Sequence, residues 1–150
     1  MKATRLALFA ILLLVACRPA SYEQFIRADQ AQDGEYVFAL DISDSTATYD
    51  FSLYTRVDPA LMAAATPSAE LALQVCWLGP AVEATASQAC FAVPAMSEIV
   101  YLPYGAAAGS VKLYRSGVKP APAGEWHLSV TPIAPPEGLR GIGIICKRVD

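Results

Sequence analysis

The sequence predicts an all-β domain, an antiparallel β-sandwich of about eight strands, immunoglobulin-like or jelly-roll-like in arrangement. Short segments with period-two alternation of apolar and polar residues recur along the chain. Turn signals rich in Gly and Pro separate them, and no segment has the length and 3.6-residue period of an ordinary amphipathic helix. We expect the sandwich domain to span residues 34–150.

The first two predicted strands each have one strongly apolar face. Residues 36–42 alternate with an apolar set of Tyr36, Phe38, Leu40 and Ile42. Residues 49–57 follow the same pattern after the turn signal Asp44-Ser45-Thr46, which predicts that the second strand runs antiparallel to the first and pairs with it in a hairpin. One helical turn is expected within residues 60–65, because Pro59 and Pro67 frame that stretch.

Six further strands follow from the same pattern and from the turn residues between them. They cover residues 71–77, 89–93, 98–102, 111–115, 125–131 and 140–149, with a Gly- and Pro-rich loop at 116–124. Gly141 and Gly143 in the last strand indicate a close approach to its backbone or a bulge. The inward-facing sets together predict a core of Phe38, Leu40, Phe51, Leu53, Leu73, Val75, Trp126, Leu128, Ile142 and Ile144.

The N-terminus has the pattern of a lipoprotein signal peptide. Two basic residues precede a short apolar run that begins at Leu6, too short for a permanent bilayer span. The run ends in Leu14-Val15-Ala16-Cys17, which resembles the lipobox of bacterial lipoproteins, where the thiol takes a diacylglycerol and the chain is cut just before it. We expect residues 1–16 to be removed, Cys17 to carry lipid, and residues 17–33 to be partly a tether and partly the start of the fold.

Charge excludes two classes of partner. Removal of Lys2 and Arg5, with no acid in the same stretch, takes the formal charge from −3 to −5. The sequence has no Lys/Arg cluster, so it offers no footprint for nucleic acid and no polybasic membrane patch. Membrane attachment is therefore expected from lipid on Cys17, where two or three acyl chains would hold the protein stably.

Three cysteines remain in the mature chain, and an exported protein meets an oxidising compartment. Cys76 and Cys90 lie seven residues on either side of Glu83, so a symmetric hairpin would place them opposite each other within reach of a disulfide. We predict a Cys76–Cys90 disulfide with Cys146 as a buried free thiol. A Cys76–Cys146 pairing and three buried thiols are the alternatives.

Catalytic signals are weak. His127 is the only histidine, and its strand neighbours Glu125 and Ser129 share its face, but no nucleophile-elbow pattern accompanies them. We interpret His127 as a solvent-facing residue opposite Trp126. The sequence therefore predicts no enzyme, no cofactor and no transition-metal site.

Asp41, Asp44 and Asp50 cluster around the first predicted turn, as oxygen ligands for Ca²⁺ would. Their spacing matches no known calcium loop, so turn formation is the better interpretation. Tyr104, in a loop between Pro and Gly, and Tyr114 are the candidates for a sugar, peptide or partner surface, because tyrosine is common at interfaces.

Four segments of the mature chain resemble the GldH-like gliding-motility lipoproteins of Bacteroidetes. They are Gly-Glu-Tyr-Val-Phe at 34–38, Tyr-Asp-Phe-Ser-Leu-Tyr-Thr-Arg at 49–56, Gly-Glu-Trp-His-Leu-Ser-Val at 124–130 and Leu-Arg-Gly-Ile-Gly-Ile at 139–144. The resemblance implies a lipid-anchored, non-catalytic accessory part of an envelope machine for gliding and protein secretion, acting through protein–protein contacts. A sugar- or peptide-binding lipoprotein is the alternative.

The residue after Cys17 bears on the destination within the envelope. Arg18 follows it and no acidic run comes next. Surface-exported lipoproteins of Bacteroidetes tend to carry acids there, so the expected location is the periplasmic face of the outer membrane.

Overall fold

The computed structural model describes residues 21–62, 70–80, 96–103 and 111–149. It confirms the predicted all-β class, with two antiparallel four-stranded sheets forming a β-sandwich. The strands are β1 (Ser21–Arg27), β2 (Tyr36–Ile42), β3 (Thr48–Val57), β4 (Glu70–Leu78), β5 (Met96–Pro103), β6 (Lys112–Val118), β7 (Gly124–Pro132) and β8 (Leu139–Val149), and a single helical turn, α1 (Pro59–Met62), follows β3.

Sheet I has the strand order β1-β8-β3-β6, and sheet II has the order β2-β7-β4-β5. Alternate residues of each strand point into the space between the sheets, which is why the period-two pattern located most strands. Nine of the ten predicted core residues are buried there. Trp126 is the exception: it lies half-buried at the margin of the core and its Nε1 donates to the Pro122 carbonyl at 2.9 Å.

The predicted pairing of the first two apolar strands is wrong. β2 pairs with β7 in sheet II, whereas β3 pairs with β8 and β6 in sheet I. The turn 43–47 therefore carries the chain across the sandwich, and Ala47 is buried as the chain crosses. Each strand has one apolar face, and that pattern is satisfied equally by neighbours in one sheet and by strands facing each other across the core.

β1 lies inside the range expected to hold the tether, and it shows that part of this range begins the fold. It is an edge strand of sheet I and pairs with β8 from Ser21↔Lys147 to Arg27↔Gly141. Its burial does not alternate cleanly, because Phe25 and Ile26 are both half-buried on opposite faces. The strand predicted at 89–93 lies outside the described residues.

β6 extends further than predicted, through Ser116, Gly117 and Val118, which fall within the predicted loop at 116–124. The pairing with β3 shifts register here, and Gly117 has a φ of +63°. Its backbone N–H donates to the Asp50 carboxylate at 2.8 Å. A bulge of this kind lets a strand continue through a glycine.

The two open margins of the sandwich are each bridged by polar side chains. At the β1/β2 margin, the Gln24 side-chain amide donates to the Ala39 carbonyl of the other sheet. At the β5/β6 margin, Tyr114 of sheet I contacts Glu98 of sheet II. Within the described ranges, no helix is long and apolar enough to cross a membrane.

Candidate functional site

Two glycines of β8 leave a furrow on the outer face of sheet I, and aromatic rings fill it. A Cβ added to Gly143 would lie 2.1 Å from Cζ of Tyr54. A Cβ added to Gly141 would lie 2.5 Å from Cζ of Phe25 and 2.3 Å from the Ile26 carbonyl oxygen. The close approach predicted at these glycines is therefore confirmed: rings from both neighbouring strands lie across the β8 backbone.

The rings support an arginine. Phe25 and Tyr54 stack with centroids 6.0 Å apart and planes 12° from parallel. The guanidinium carbon of Arg56 lies 4.6 Å above the Phe25 centroid and 5.8 Å from that of Tyr54. The backbone of β8, the Phe25 ring and the Arg56 guanidinium thus form successive layers, and cation–π attraction holds the third to the second.

Tyr54 is held at its ring by the backbone of β8 and at its hydroxyl by a residue of β1. Its ring is buried over Gly143, and its hydroxyl donates to the Glu23 carboxylate of β1. Burial, and then the hydrogen bond and negative charge of Glu23, raise the pKa of Tyr54 to about 12. The hydroxyl therefore stays protonated and remains a donor at physiological pH.

Two more arginines surround Arg56. Arg27 lies across Gly141 from Arg56 in the register, and its Nη2 is 2.7 Å from Oδ2 of Asp29. The Nη2 atom of Arg140 is 2.7 Å from Oδ2 of Asp58, and its hydrogen bond holds the pKa of that carboxyl below its usual range. No carboxylate among the described residues lies within ion-pair distance of Arg56.

We call this region the arginine–aromatic surface. It encloses a surface cavity of about 510 Å³ lined by Phe25, Arg27, Ala28, Asp29, Arg56 and Arg140. The Arg56 guanidinium lies over the Phe25 ring and also hydrogen-bonds the Tyr54 hydroxyl, which leaves further N–H donors for another group. Such an arrangement is suited to a carboxylate or phosphate, which accepts two parallel hydrogen bonds from one arginine.

A second cavity, the edge cleft, opens between the sheets at the β1/β2 margin. It has a volume of about 390 Å³ and is lined by Tyr22, Gln24, Ala39, Asp41, Tyr49, Cys146 and Arg148. The Tyr22 hydroxyl is buried in it and has no partner at hydrogen-bond geometry in the described part of the chain. Burial, and then the neighbouring Cys146 thiol, raise the pKa of Tyr22.

Tyr114, one of the two tyrosines predicted for a ligand or partner surface, instead packs against other side chains of the fold. It is half-buried, stacks on Trp77 with centroids 6.3 Å apart, and accepts a 2.9 Å hydrogen bond from the indole Nε1. Its hydroxyl donates to Glu98, whose carboxylate also accepts from Arg115 at 2.6 Å. The other aromatic candidate, Tyr104, lies outside the described residues.

Burial raises the pKa of Glu98, but hydrogen bonds from Tyr114 and Arg115 outweigh it, so the net pKa is lowered. For Tyr114, burial and the Glu98 hydrogen bond raise the pKa. The two shifts agree on a neutral tyrosine that donates to an ionised carboxylate. Tyr114 therefore ties the two sheets together at the β5/β6 margin.

His127 and Ser129 do not combine into a catalytic pair. His127 is partly exposed, and its Nε2 lies 3.5 Å from Oε1 of Glu125 on the same strand. The Ser129 hydroxyl donates to the carboxylate of Glu35. His127 and Ser129 thus have separate acidic neighbours, and they differ in exposure because His127 is partly solvated whereas Ser129 is buried.

The three aspartates considered for calcium also have separate partners. Asp41 accepts from the backbone N–H of Ser43 at 3.3 Å, and Asp44 accepts from that of Thr46 at 3.0 Å, so both form turns as interpreted. Asp50 holds the β6 bulge. No group of three His, Cys, Asp or Glu side chains within the described ranges is arranged to hold a metal ion.

Cysteine positions test only part of the disulfide prediction. Cys146 is a buried free thiol, as predicted, and Cys76 is half-buried and has no disulfide partner among the described residues. The hairpin symmetry that suggested the pairing is wrong, because the positions opposite Cys76 are Ser97 on β5 and Ser129 on β7. Cys90 lies outside the described residues, so its pairing stays a prediction.

Cys17 also lies outside the described residues, and its lipidation stays a prediction. The arginine–aromatic surface and the edge cleft were not identified from the sequence. Only Gly141 and Gly143 pointed to the first of them, and the half-buried aromatics of β1 gave no periodic pattern. Comparison with family models, curated proteins and solved structures found no match to this chain.

Proposed function

We propose that this protein is a lipid-anchored accessory component of the cell envelope that works by binding other envelope proteins, without catalysis or cofactor. Its place is the periplasmic face of the outer membrane, and its role is similar to that of the GldH-like gliding-motility lipoproteins. The observation that carries the proposal is the lipobox ending at Cys17, followed by a folded strand that already begins at Ser21.

This spacing would hold the sandwich close to the lipid. Four residue steps separate Cys17 from Ser21, and an extended chain covers at most about 3.6 Å per step, so β1 begins within about 15 Å of the lipid-bearing residue. β1 then runs for seven residues, about 20 Å, to Arg27. The end of sheet I that contains Lys147 would therefore face the membrane, and the arginine–aromatic surface would face away from it.

Anchoring is tested by replacing Cys17 with serine and labelling cells with an alkyne-bearing fatty acid. The wild-type protein should take the label and partition into detergent, and the Cys17→Ser variant should lose both properties. Equal partitioning of the two proteins would overturn the anchoring proposal.

Contact with envelope proteins is tested in intact cells with a photo-crosslinking amino acid at single positions. Ala28 on the arginine–aromatic surface is one position, and Val37, exposed on the outer face of sheet II, is its counterpart on the other side of the sandwich. The proposal expects discrete crosslinks to gliding or secretion components from at least one face. Crosslinks to none of these components from either face would overturn it.

A second function, binding of a small sugar or peptide, is favoured by the buried Tyr22 hydroxyl in the edge cleft. A buried hydroxyl without a partner costs free energy, and a ligand oxygen would satisfy it. Glycan and peptide arrays should then show binding by the wild-type protein and loss of that binding in Tyr22→Phe. Arrays that are blank for the wild type, or unchanged by the substitution, would exclude this site.

A further inference from the structure

We propose that the arginine–aromatic surface is the docking site for an acidic segment, bearing Asp or Glu side chains, of a protein partner. This inference rests on the proposed function, which it deepens by naming the surface and the chemistry of the partner. Arg56 would take a partner carboxylate, with Arg27 and Arg140 beside it.

Charge is the first argument. The mature chain carries a formal charge of −5, yet three guanidinium groups line one cavity, and two of them are ion-paired, Arg27 with Asp29 and Arg140 with Asp58. The third arginine, Arg56, has no carboxylate within ion-pair distance among the described residues, because the nearby Glu23 carboxylate accepts its hydrogen bond from Tyr54. An acidic segment would supply a carboxylate for Arg56 at this group of three arginines.

The orientation of Arg56 is the second argument. Contact with the Phe25 ring and the hydrogen bond to the Tyr54 hydroxyl restrain the Arg56 side chain, so it loses less freedom when it meets a carboxylate. Phe25 is itself held over Gly141. Arginine and aromatic residues are enriched where protein interfaces concentrate their binding energy.

Position is the third argument, and it favours a protein over the headgroups of the protein's own membrane. The surface lies at the Arg27 end of β1, one strand length of about 20 Å from Ser21, where the anchored chain enters the fold. Anionic lipids of the same leaflet act only within about a Debye length, roughly 8 Å at physiological ionic strength. A partner protein can contact this end of the sandwich directly, so the distance from the membrane does not limit its binding.

The test uses the full lipidated protein in lipid nanodiscs and an oligoglutamate peptide as the probe. Side-chain N–H signals of arginine, observed by NMR, report directly on the three guanidinium groups. Oligoglutamate should shift the Arg56 signal, whereas oligoglutamine and oligolysine should leave it in place. Arg56→Gln should weaken oligoglutamate binding about 10- to 100-fold, as expected for loss of a charge-assisted hydrogen-bonded pair.

The matched control is Lys147→Gln, which removes the same charge from the outer face of the same sheet at its other end. This variant should bind oligoglutamate as the wild type does, and Arg56→Lys should be intermediate because lysine keeps the charge but cannot stack or form two parallel bonds. Equal losses for Arg56→Gln and Lys147→Gln would reduce the effect to bulk charge and overturn the proposal. An Arg56 signal that responds to phosphatidylglycerol in the nanodisc and not to peptide would also overturn it, in favour of a headgroup site.

Failure of this test is distinguishable from failure of the proposed function. If Arg56→Gln changes nothing while the Val37 position still crosslinks to envelope partners, the docking surface is wrong and the contact function stands. If neither position crosslinks, the function itself fails.

Discussion

Replacing Gly143 with alanine tests whether the Tyr54 ring owes its position to the missing side chain beneath it. The new Cβ would lie 2.1 Å from Cζ of Tyr54, about 1.3 Å closer than the shortest ordinary contact of 3.4 Å. The ring must leave its place over β8, and Tyr54 is only 5% exposed, so it gives up buried area and its hydrogen bond to Glu23. Overpacking of this kind typically costs about 1–3 kcal/mol.

An opposing effect reduces that cost. Gly143 does not have a positive φ, so alanine fits its backbone and restricts the unfolded chain, which stabilises by about 0.4–1 kcal/mol. The expected net loss is therefore about 1–2 kcal/mol. Gly141→Ala should lose more, because its Cβ would meet the Ile26 carbonyl oxygen at 2.3 Å and a strand backbone moves less easily than a ring.

Urea unfolding followed by tryptophan fluorescence measures both losses as a lower midpoint at unchanged slope. The control is the same substitution in a Tyr54→Ala background, where the ring is gone and Gly143→Ala should be neutral or stabilising. If Gly143→Ala costs as much without the Tyr54 ring as with it, the ring does not lie over this glycine and the account of the furrow fails.

Two further predictions concern ionisation and thiol chemistry. The folded-state pKa of Glu98 is lowered, so the ionised carboxylate stabilises the fold fully above its unfolded pKa of about 4.3. This stabilisation is lost as the pH falls through the lowered folded value. Glu98→Gln should therefore make the free energy of unfolding depend less on pH in the acid range. Timed alkylation of the folded protein under mild reduction should label half-buried Cys76 and spare Cys146, which is buried and whose pKa burial raises. Labelling of Cys146 as fast as Cys76 would contradict the burial, and a Cys76 that reacts only after reduction would support its predicted bridge to Cys90.

Strict alternation along a strand was enough to predict the class and most of the core. Phe38 and Leu40 in one sheet and Phe51 and Leu53 in the other are all fully buried. Alternation fixes which face of a strand is apolar, but it does not say which strand lies beside it. The turn at Asp44 forms the same side-chain hydrogen bonds whether it closes a hairpin or crosses between sheets, so β2 and β3 were paired incorrectly.

The candidate surface was harder to predict because its residues come from three strands. Their contacts also depend on two positions that have no side chain, Gly141 and Gly143. Phe25 and Arg56 are about 30 residues apart in the sequence, and they meet only because Gly141 leaves space between them. β1 itself has covering groups on both faces, so its apolar residues do not alternate. The glycines were the only local signal, and they indicate a close approach without naming the ring that makes it.

The substitutions Tyr22→Phe and Tyr114→Phe test whether the tyrosine hydroxyl is hydrogen-bonded at the β5/β6 margin and unsatisfied at the β1/β2 margin. Both substitutions remove one hydroxyl from a half-buried tyrosine. The Tyr114 hydroxyl accepts from Trp77 and donates to Glu98, so its removal leaves a buried indole N–H without an acceptor and should cost about 1–3 kcal/mol. The Tyr22 hydroxyl makes no such bond within the described residues, so its removal relieves a desolvated group and should leave the stability unchanged or raise it by up to about 1 kcal/mol. Urea unfolding of the two variants side by side compares their free energies of unfolding. Equal losses of stability would mean that the Tyr22 hydroxyl is hydrogen-bonded. The edge cleft would then offer a ligand no unsatisfied donor.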